Sequence, residues 1–253
     1  MAVLVTRPSP DNVRSAAALR ARGYEVLLAP MLRFEPVVLP AGFGNDSAID
    51  SDAEFGAIII TSANALRAVA PQLDGSRLKR LPLFAVGEQT AAAARDAGFA
   101  KVIVAEGDSA ALRDLIASSV KSRVFKKRAT LLYFAAADIS RDLAGELAAR
   151  GFDVVTQTAY RMAQVASLPR DVCDAFAING IDAVLHYSRR SAEAFVAAAR
   201  ADGVEISALA VPHHCISASV AEILREAGGA QVTVAARPDE TSLMEGLARA
   251  LRS

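Results

Sequence analysis

The chain repeats itself, and that repeat limits what it can fold into. The phrase RARGYEVL (Arg20–Leu27) returns as AARGFDVV (Ala148–Val155), with Gly151 following Gly23 by 128 residues. GAIIITSANAL (Gly56–Leu66) returns as DAVLHYSRRSA (Asp182–Ala192), where Ser188 follows Ser62 by 126. LPLFAVGEQTAAAARDAGF (Leu81–Phe99) returns as VPHHCISASVAEILREAGG (Val211–Gly229), where Pro212 follows Pro82 by 130. Solenoid repeats have far shorter periods, so a duplicated domain fits better.

Within the repeat, strand and helix periods alternate. Ala2–Val5 is a short apolar run, Asp11–Gly23 has helical spacing with Val13, Ala16, Ala17 and Leu19, and Val26–Ala29 reads as a strand. The pattern returns as Thr130–Phe134, Arg141–Gly151 and Val154–Thr158. Strands that are apolar throughout imply parallel sheets covered on both faces. The expected fold is α/β, with two similar domains, each a parallel sheet flanked by helices. Two stretches read as linkers: the charged VFKKRAT around residues 126–129, and the Pro-, Gly-, Asp- and Ser-rich Phe34–Glu54. Pattern alone does not assign each element to a sheet.

Charge narrows the partners. Lys plus Arg number 28 and Asp plus Glu number 28, so no global positive field exists to hold nucleic acid or an anionic membrane. An anionic ligand would need local donors. No apolar run approaches the ~20 residues of a membrane helix. The first apolar run, in MAVLVTRP, is too short for an export signal. Cys173 and Cys215 lie far apart and read as reduced thiols, which points to a cytoplasmic protein.

In open parallel sheets, ligands bind beyond the carboxyl ends of strands, where helix N-termini point. Four such turns carry small polar residues: Thr61-Ser62-Ala63-Asn64, Gly87-Glu88-Gln89-Thr90, Tyr187-Ser188-Arg189-Arg190 and Ser217-Ala218-Ser219. Any one could be only a helix cap. Four of them, repeated between two halves, favour an anion-binding cleft. Neither a G-x-G-x-x-G after a strand nor a G-x-x-x-x-G-K-[ST] occurs, which argues against a nucleotide enzyme. His213 and His214 are adjacent on a strand and point to opposite faces, so no metal site is expected. The serines lack a G-x-S-x-G elbow. Tyr160 ends the run VVTQTAYRM, either as a half-buried interface aromatic or as a phenol acting as hydrogen-bond donor or general acid. Arg7, after the first strand, is a surface charge or a substrate-binding residue that meets a carboxylate.

Taken in order, VLVTRP, RGYEVLLAPML, IIITSANAL, FAVGEQTAAAARDAGF, LAARGFDVVTQTAYR, DAVLHYSRRSAEAF, CISASVAEILREAG and PDETSLMEGL resemble the uroporphyrinogen-III synthase family. They span Val3 to Leu247. The resemblance implies two α/β domains joined by a two-stranded linker. Domain one would be residues 1–35 and 167–253, domain two 39–160, and the linkers 36–38 and 161–166. It implies a monomeric enzyme that needs neither metal nor organic cofactor. Its substrate is hydroxymethylbilane, a linear tetrapyrrole with an acetate and a propionate on each ring. The enzyme promotes loss of the hydroxyl and closes the ring with inversion of the last pyrrole.

Carried over by position, Tyr160 matches the family tyrosine that assists hydroxyl departure. Thr61, Ser62 and Ala63 match the first substrate-facing turn, Gly87 and Thr90 the second, Ser188 the third. Ser217 and Ser219 match the fourth, where the family often has Gly-Pro-Thr. The segment FAAADISRDL lacks the usual Arg-Gly or Gly-Asp start, so no arginine contact is assigned there, with Arg141 left open. Competing readings are a non-catalytic tetrapyrrole- or anion-binding module of the same fold, and an unrelated two-lobed binding protein or sugar-nucleotide transferase.

Overall fold

Strand order explains the repeat. In the computed structural model, residues 1–40, 43, 55–121, 124–125, 129–139 and 141–251 are described. Much of the expected linker stretch 34–54, and residues 126–128 of the charged segment, lie outside them. The chain divides into two compact units, one of Met1–Phe34 with Ala163–Ser253 and one of Glu35–Met162.

The chain opens with β1 (Ala2–Val5), α1 (Asp11–Arg20), β2 (Glu25–Leu28) and β3 (Leu32–Pro36). Next come β4 (Phe55–Ile60), α2 (Ala63–Val69), β5 (Pro82–Val86), α3 (Gly87–Asp96), β6 (Lys101–Ala105) and α4 (Ser109–Lys121). These are followed by β7 (Thr130–Ala136), α5 (Leu143–Ala148) and β8 (Val154–Gln164). The chain continues through α6 (Arg170–Ala177), β9 (Ala183–His186), α7 (Arg189–Ala201), α8 (Glu205–Ala210) and β10 (Pro212–Cys215). It closes with α9 (Ala218–Glu226), β11 (Gln231–Val234) and α10 (Glu240–Ala250).

The first unit's sheet runs β2-β1-β9-β10-β11, with every pair parallel. The second unit's sheet contains β8-β7-β4-β5-β6, also parallel, with β3 added at the β8 edge. The repeated segments occupy matching places: β7 and β8 stand where β1 and β2 stand, and β4, β5, β6 where β9, β10, β11 stand. The units share one strand order, and one is a circular permutation of the other. β3 and β8 pair where the chain passes between units. Val37 N–H donates to Ala159 O (2.8 Å) and Val165 N–H to Met31 O (3.0 Å). Partner numbers fall as strand numbers rise, so this ladder is antiparallel.

Both faces of each sheet are covered at its centre, which is why β1, β4 and β9 read as apolar runs. Leu4, Val184 and Cys215 pack with Phe195, Val220 and Leu224 on one face of the first sheet. Val3, Val5, Ala183 and Leu185 pack with Leu19, Leu243 and Leu247 on the other. In the second unit Ala57, Ile59, Leu131 and Tyr133 meet Leu112, Ile116, Leu143 and Leu147. Alternation turns Ile58, Ile60, Leu132 and Phe134 the other way, and all four are fully buried. The expected helix at 141–151 is shorter: α5 begins at Leu143, because Asp142 caps it through Gly145 N–H (2.8 Å). Among the described residues no helix is long and apolar enough to cross a membrane, and both cysteines are free.

Candidate functional site

Strand order reverses between β4 and β7 in the second unit. At such a point the helices that follow the two strands leave on opposite faces, and a crevice opens beyond the carboxyl ends. A pocket of about 230 Å³ lies there. Thr61 and Ser62 enter it from the end of β4, Tyr133 from β7, Tyr160 from β8 and Ser109 from the start of α4. Asp138 and Arg141, from the turn after β7, complete its wall.

Each side chain is placed by a local cause. Ser62 is extended (φ −147°) and caps α2, its Oγ accepting Asn64 N–H at 3.1 Å. Tyr160 reaches the pocket through a β-bulge. β7 and β8 pair regularly up to Ala135↔Thr158, and the next pair is Ala136↔Tyr160. One extra residue, Ala159, is absorbed. Without it Tyr160 would turn to the opposite face, because a one-residue slip inverts every side chain. Tyr160 O–H donates to Ser62 Oγ at 3.5 Å, and Thr61 Oγ1 lies 3.2 Å from the Tyr133 hydroxyl. Two phenol–hydroxyl pairs therefore stand side by side, both rings nearly buried. Burial pushes the Tyr133 phenol above its ordinary value, against the Thr61 hydrogen bond, and Tyr160 adds to the rise. This phenol stays protonated at neutral pH.

The other expected residues sit elsewhere. Ala63 opens α2. Gly87 opens α3 with φ +72°, and Thr90 is buried one turn on; neither lines this pocket. In the first unit, Ser188 caps α7 through Ser191 N–H (3.2 Å). Ser217 precedes α9 without capping it, and its Oγ lies 3.0 Å from Ser219 Oγ.

Arg7 stands at the equivalent reversal of the first unit, between β1 and β9, and there the crevice is filled. Its guanidinium lies 4.9 Å from the Tyr187 ring centroid and pairs with Glu240 (3.2 Å) and Asp11 (3.3 Å). Glu240 also accepts from Ser15 and from Tyr187 O–H (3.4 Å). Burial pushes the Tyr187 phenol up to about 12.

The histidines form no chelate. His213 faces Phe195 and His186 on one side of the sheet, with His186 Nε2 3.1 Å from His213 Nδ1. His214 faces the other side and meets Thr233 Oγ1 at 2.6 Å. Among the described residues no group of three or more His, Cys, Asp or Glu could hold a metal ion.

Sequence reasoning missed Tyr133 and Asp138 and left Arg141 open. A phenol inside an otherwise apolar strand was the available signal for the first.

A family model described as uroporphyrinogen-III synthase HemD matches residues 13–245. Among solved structures, the chain resembles uroporphyrinogen-III synthetase from Helicobacter pylori, with TM-score 0.59 and 19% identity over 98% of each chain. It also resembles a mutant uroporphyrinogen III synthase from the extremely thermophilic bacterium Thermus thermophilus, with TM-score 0.54 and 20% identity over 100% of this chain and 99% of that one. No curated protein sequence matches.

Proposed function

The chain belongs to the uroporphyrinogen-III synthase family, and from that premise we propose that the pocket of the second unit is where its reaction is promoted. The enzyme is a cyclising hydro-lyase: it closes hydroxymethylbilane to uroporphyrinogen III, with loss of water and inversion of the last pyrrole ring. The observation that carries the site proposal is the meeting of Tyr160, Ser62, Thr61 and Tyr133 at the strand-order reversal.

The chemistry asks for a proton donor and a shaped, polar wall. Tyr160 donates its proton to the departing hydroxyl, the carbon–oxygen bond breaks, and water leaves. Electron density from the adjacent pyrrole nitrogen fills the vacancy at carbon. The last ring then attacks that carbon through its substituted α-carbon to give a spiro intermediate. The bond from the substituted carbon to its old methylene bridge breaks, the bridge rejoins the ring at its free α-carbon, and the proton lost there returns to the Tyr160 phenolate, so the ring is inverted in the product. The unguided chain closes without inversion, so holding a folded substrate is the enzyme's main task. Thr61, Ser62, the backbone at Ala63 and Gly87, and Thr90, Ser188, Ser217 and Ser219 are proposed to receive its acetates and propionates, as hydroxyls and helix N-termini receive anions elsewhere.

Two observations bear on its setting. The free thiols of Cys173 and Cys215 support a reducing compartment, the cytosol. A separate apolar core in each unit supports a monomer, which sedimentation would test. The deciding experiment is incubation with freshly made hydroxymethylbilane and measurement of the type III to type I product ratio. A ratio matching the enzyme-free control would refute the reading. A non-catalytic module of the same fold would give that result while still binding a tetrapyrrole.

A further inference from the structure

Among the described residues, the wall of the second unit's pocket holds one guanidinium, and it is not simply a surface charge. Arg141 is gripped by Glu146 in a two-pronged fork, Nε to Oε1 at 2.7 Å and Nη2 to Oε2 at 2.9 Å. The same carboxylate accepts Arg113 Nη1 at 2.9 Å. Arg113 is in turn forked by Asp114 at 3.0 and 3.3 Å, and Asp114 also accepts Arg150 Nη1 at 2.7 Å. Three guanidiniums thus share two carboxylates along α4, α5 and the turn after β7.

We propose that Arg141 binds a carboxylate of the substrate and that Arg113, acting through Glu146, positions Arg141 to do so. The proposal rests on the reading of this pocket as the reaction site. Three features support it. First, Arg141 brings its guanidinium to the pocket wall while sharing Glu146 with Arg113, with Asp108 also acting on it and Asp138 lining the same wall. The whole chain has no net positive charge, so a polyanionic substrate depends on such local donors. Second, a guanidinium has five N–H donors and the Glu146 fork takes two. The planar edge that remains suits a carboxylate, which a lysine in this place would hold less specifically. Third, the fork fixes the plane of the guanidinium before substrate arrives, which lowers the ordering cost of binding. The hydrogen bonds with Arg141 and Arg113 hold the Glu146 carboxyl below its ordinary value, so the fork stays charged at neutral pH.

Arg113 does not line the pocket. Its work is to draw off part of the Glu146 charge. Without it, the full carboxylate falls on Arg141 and competes with the incoming anion.

The test uses the full-length protein, with Arg141→Gln, Arg113→Gln and the double variant. Arg200→Gln, which removes a surface charge paired with Glu205 in the first unit, controls for net charge. The measurements are KM and kcat with fresh hydroxymethylbilane, the dissociation constant of uroporphyrin I as a non-reacting polycarboxylate probe, and thermal melting. Arg141→Gln should raise KM and the probe constant about tenfold to a hundredfold, with kcat changed far less. Arg113→Gln should raise both about threefold to tenfold, and should add nothing in the Arg141→Gln background. Arg200→Gln should change neither. An unchanged KM and probe constant in Arg141→Gln would overturn the carboxylate role. Additive effects in the double variant would overturn the positioning role. If Arg113→Gln proves unstable, Glu146→Gln replaces it and should likewise lose its effect once Arg141 is gone. If the wild type makes no type III product, the functional reading fails, and the probe titration still decides the fate of Arg141.

Discussion

The phenol of Tyr160 lies 3.5 Å from the hydroxyl of Ser62, an oxygen that already accepts Asn64 N–H at the start of α2. At that length the phenol's hydrogen bond to Ser62 is weak, and it gives way when the proton passes to a better acceptor. Tyr160→Phe should therefore lower turnover by about 10²–10⁴-fold while leaving the melting temperature nearly unchanged. Tyr160→Ala should also empty a buried ring site, at a stability cost of about 3–5 kcal/mol. Turnover and melting of the two variants, measured side by side, check this. Full turnover in Tyr160→Phe would remove the phenol from the mechanism.

Gly87 tests the second polar turn. Its φ is +72°, and a Cβ added there would meet nothing within 4 Å. Any penalty is therefore backbone strain and not a clash. Gly87→Ala should cost about 1–2 kcal/mol. Gly87→Val should cost more, since a β-branched residue resists this region, and Gly87→Asn less. Gly87→Val should also harm activity more than Ser62→Ala, which removes a cap worth about 0.5–2 kcal/mol but leaves the backbone donors. Denaturant melts and initial rates check the order, and a folded, fully active Gly87→Val would refute it.

All three histidines, His186, His213 and His214, lie in the first unit. Burial holds His213 down from 6.5 to about 4, with the Ala208 backbone opposing and His214 adding a little. Burial also lowers His214, and lowers His186 strongly with help from its two neighbours. A histidine with a depressed folded pKa takes up a proton more readily when unfolded. Its contribution to stability is therefore complete above pH 6.5 and is lost as pH falls toward the folded value. His213 alone accounts for about 3 kcal/mol between pH 6.5 and 4. Unfolding free energy should fall steadily through that window, with amide exchange rising first in β9 and β10. A flat profile from pH 7 to 5 would contradict this.

Glu240 is the hub of the filled crevice in the first unit, accepting from Arg7, Ser15 and Tyr187. Glu240→Ala leaves Asp11 as the carboxylate paired with the Arg7 guanidinium and the Tyr187 phenol without that acceptor. The expected cost is about 1–3 kcal/mol of stability. Arg7→Gln should likewise destabilise, with KM unaltered, since its charge is already engaged within the unit. A large rise in KM with no loss of stability would instead make Arg7 a substrate contact.

Much of the fold was legible because the central strands are buried on both faces, so Ile58–Ile60 and Ala183–Leu185 stand out as apolar runs. The duplication was legible because both units need a tight glycine turn before a strand, at Gly23 and Gly151. The pairing of β8 was harder. Its burial shows no clean alternation, since it carries a bulge and partners two different strands. The pocket was half legible. Thr61 and Ser62 follow a strand and carry hydroxyls, which any reading of the turns would find, and Tyr160 is a phenol within the run VVTQTAYRM of β8. Tyr133 and Arg141 join them only because β7 lies beside β4, and lateral adjacency across a strand-order reversal leaves no mark in the local pattern.

The permuted layout also sets a timetable for the chain as it leaves the ribosome. β1 emerges first, yet its place is between β2 and β9, and β9 begins only at Ala183. The second unit is contiguous from Glu35 to Met162 and can close its parallel sheet while β1 still lacks a neighbour on one side. At ordinary synthesis rates the stretch from Ala163 to His186, the end of β9, takes about 1–5 s. For that interval the apolar β1 and β2 form an open edge, the most aggregation-prone moment in the life of this protein. Substitutions that slow or weaken β9 should therefore lower soluble yield well before they alter the finished enzyme.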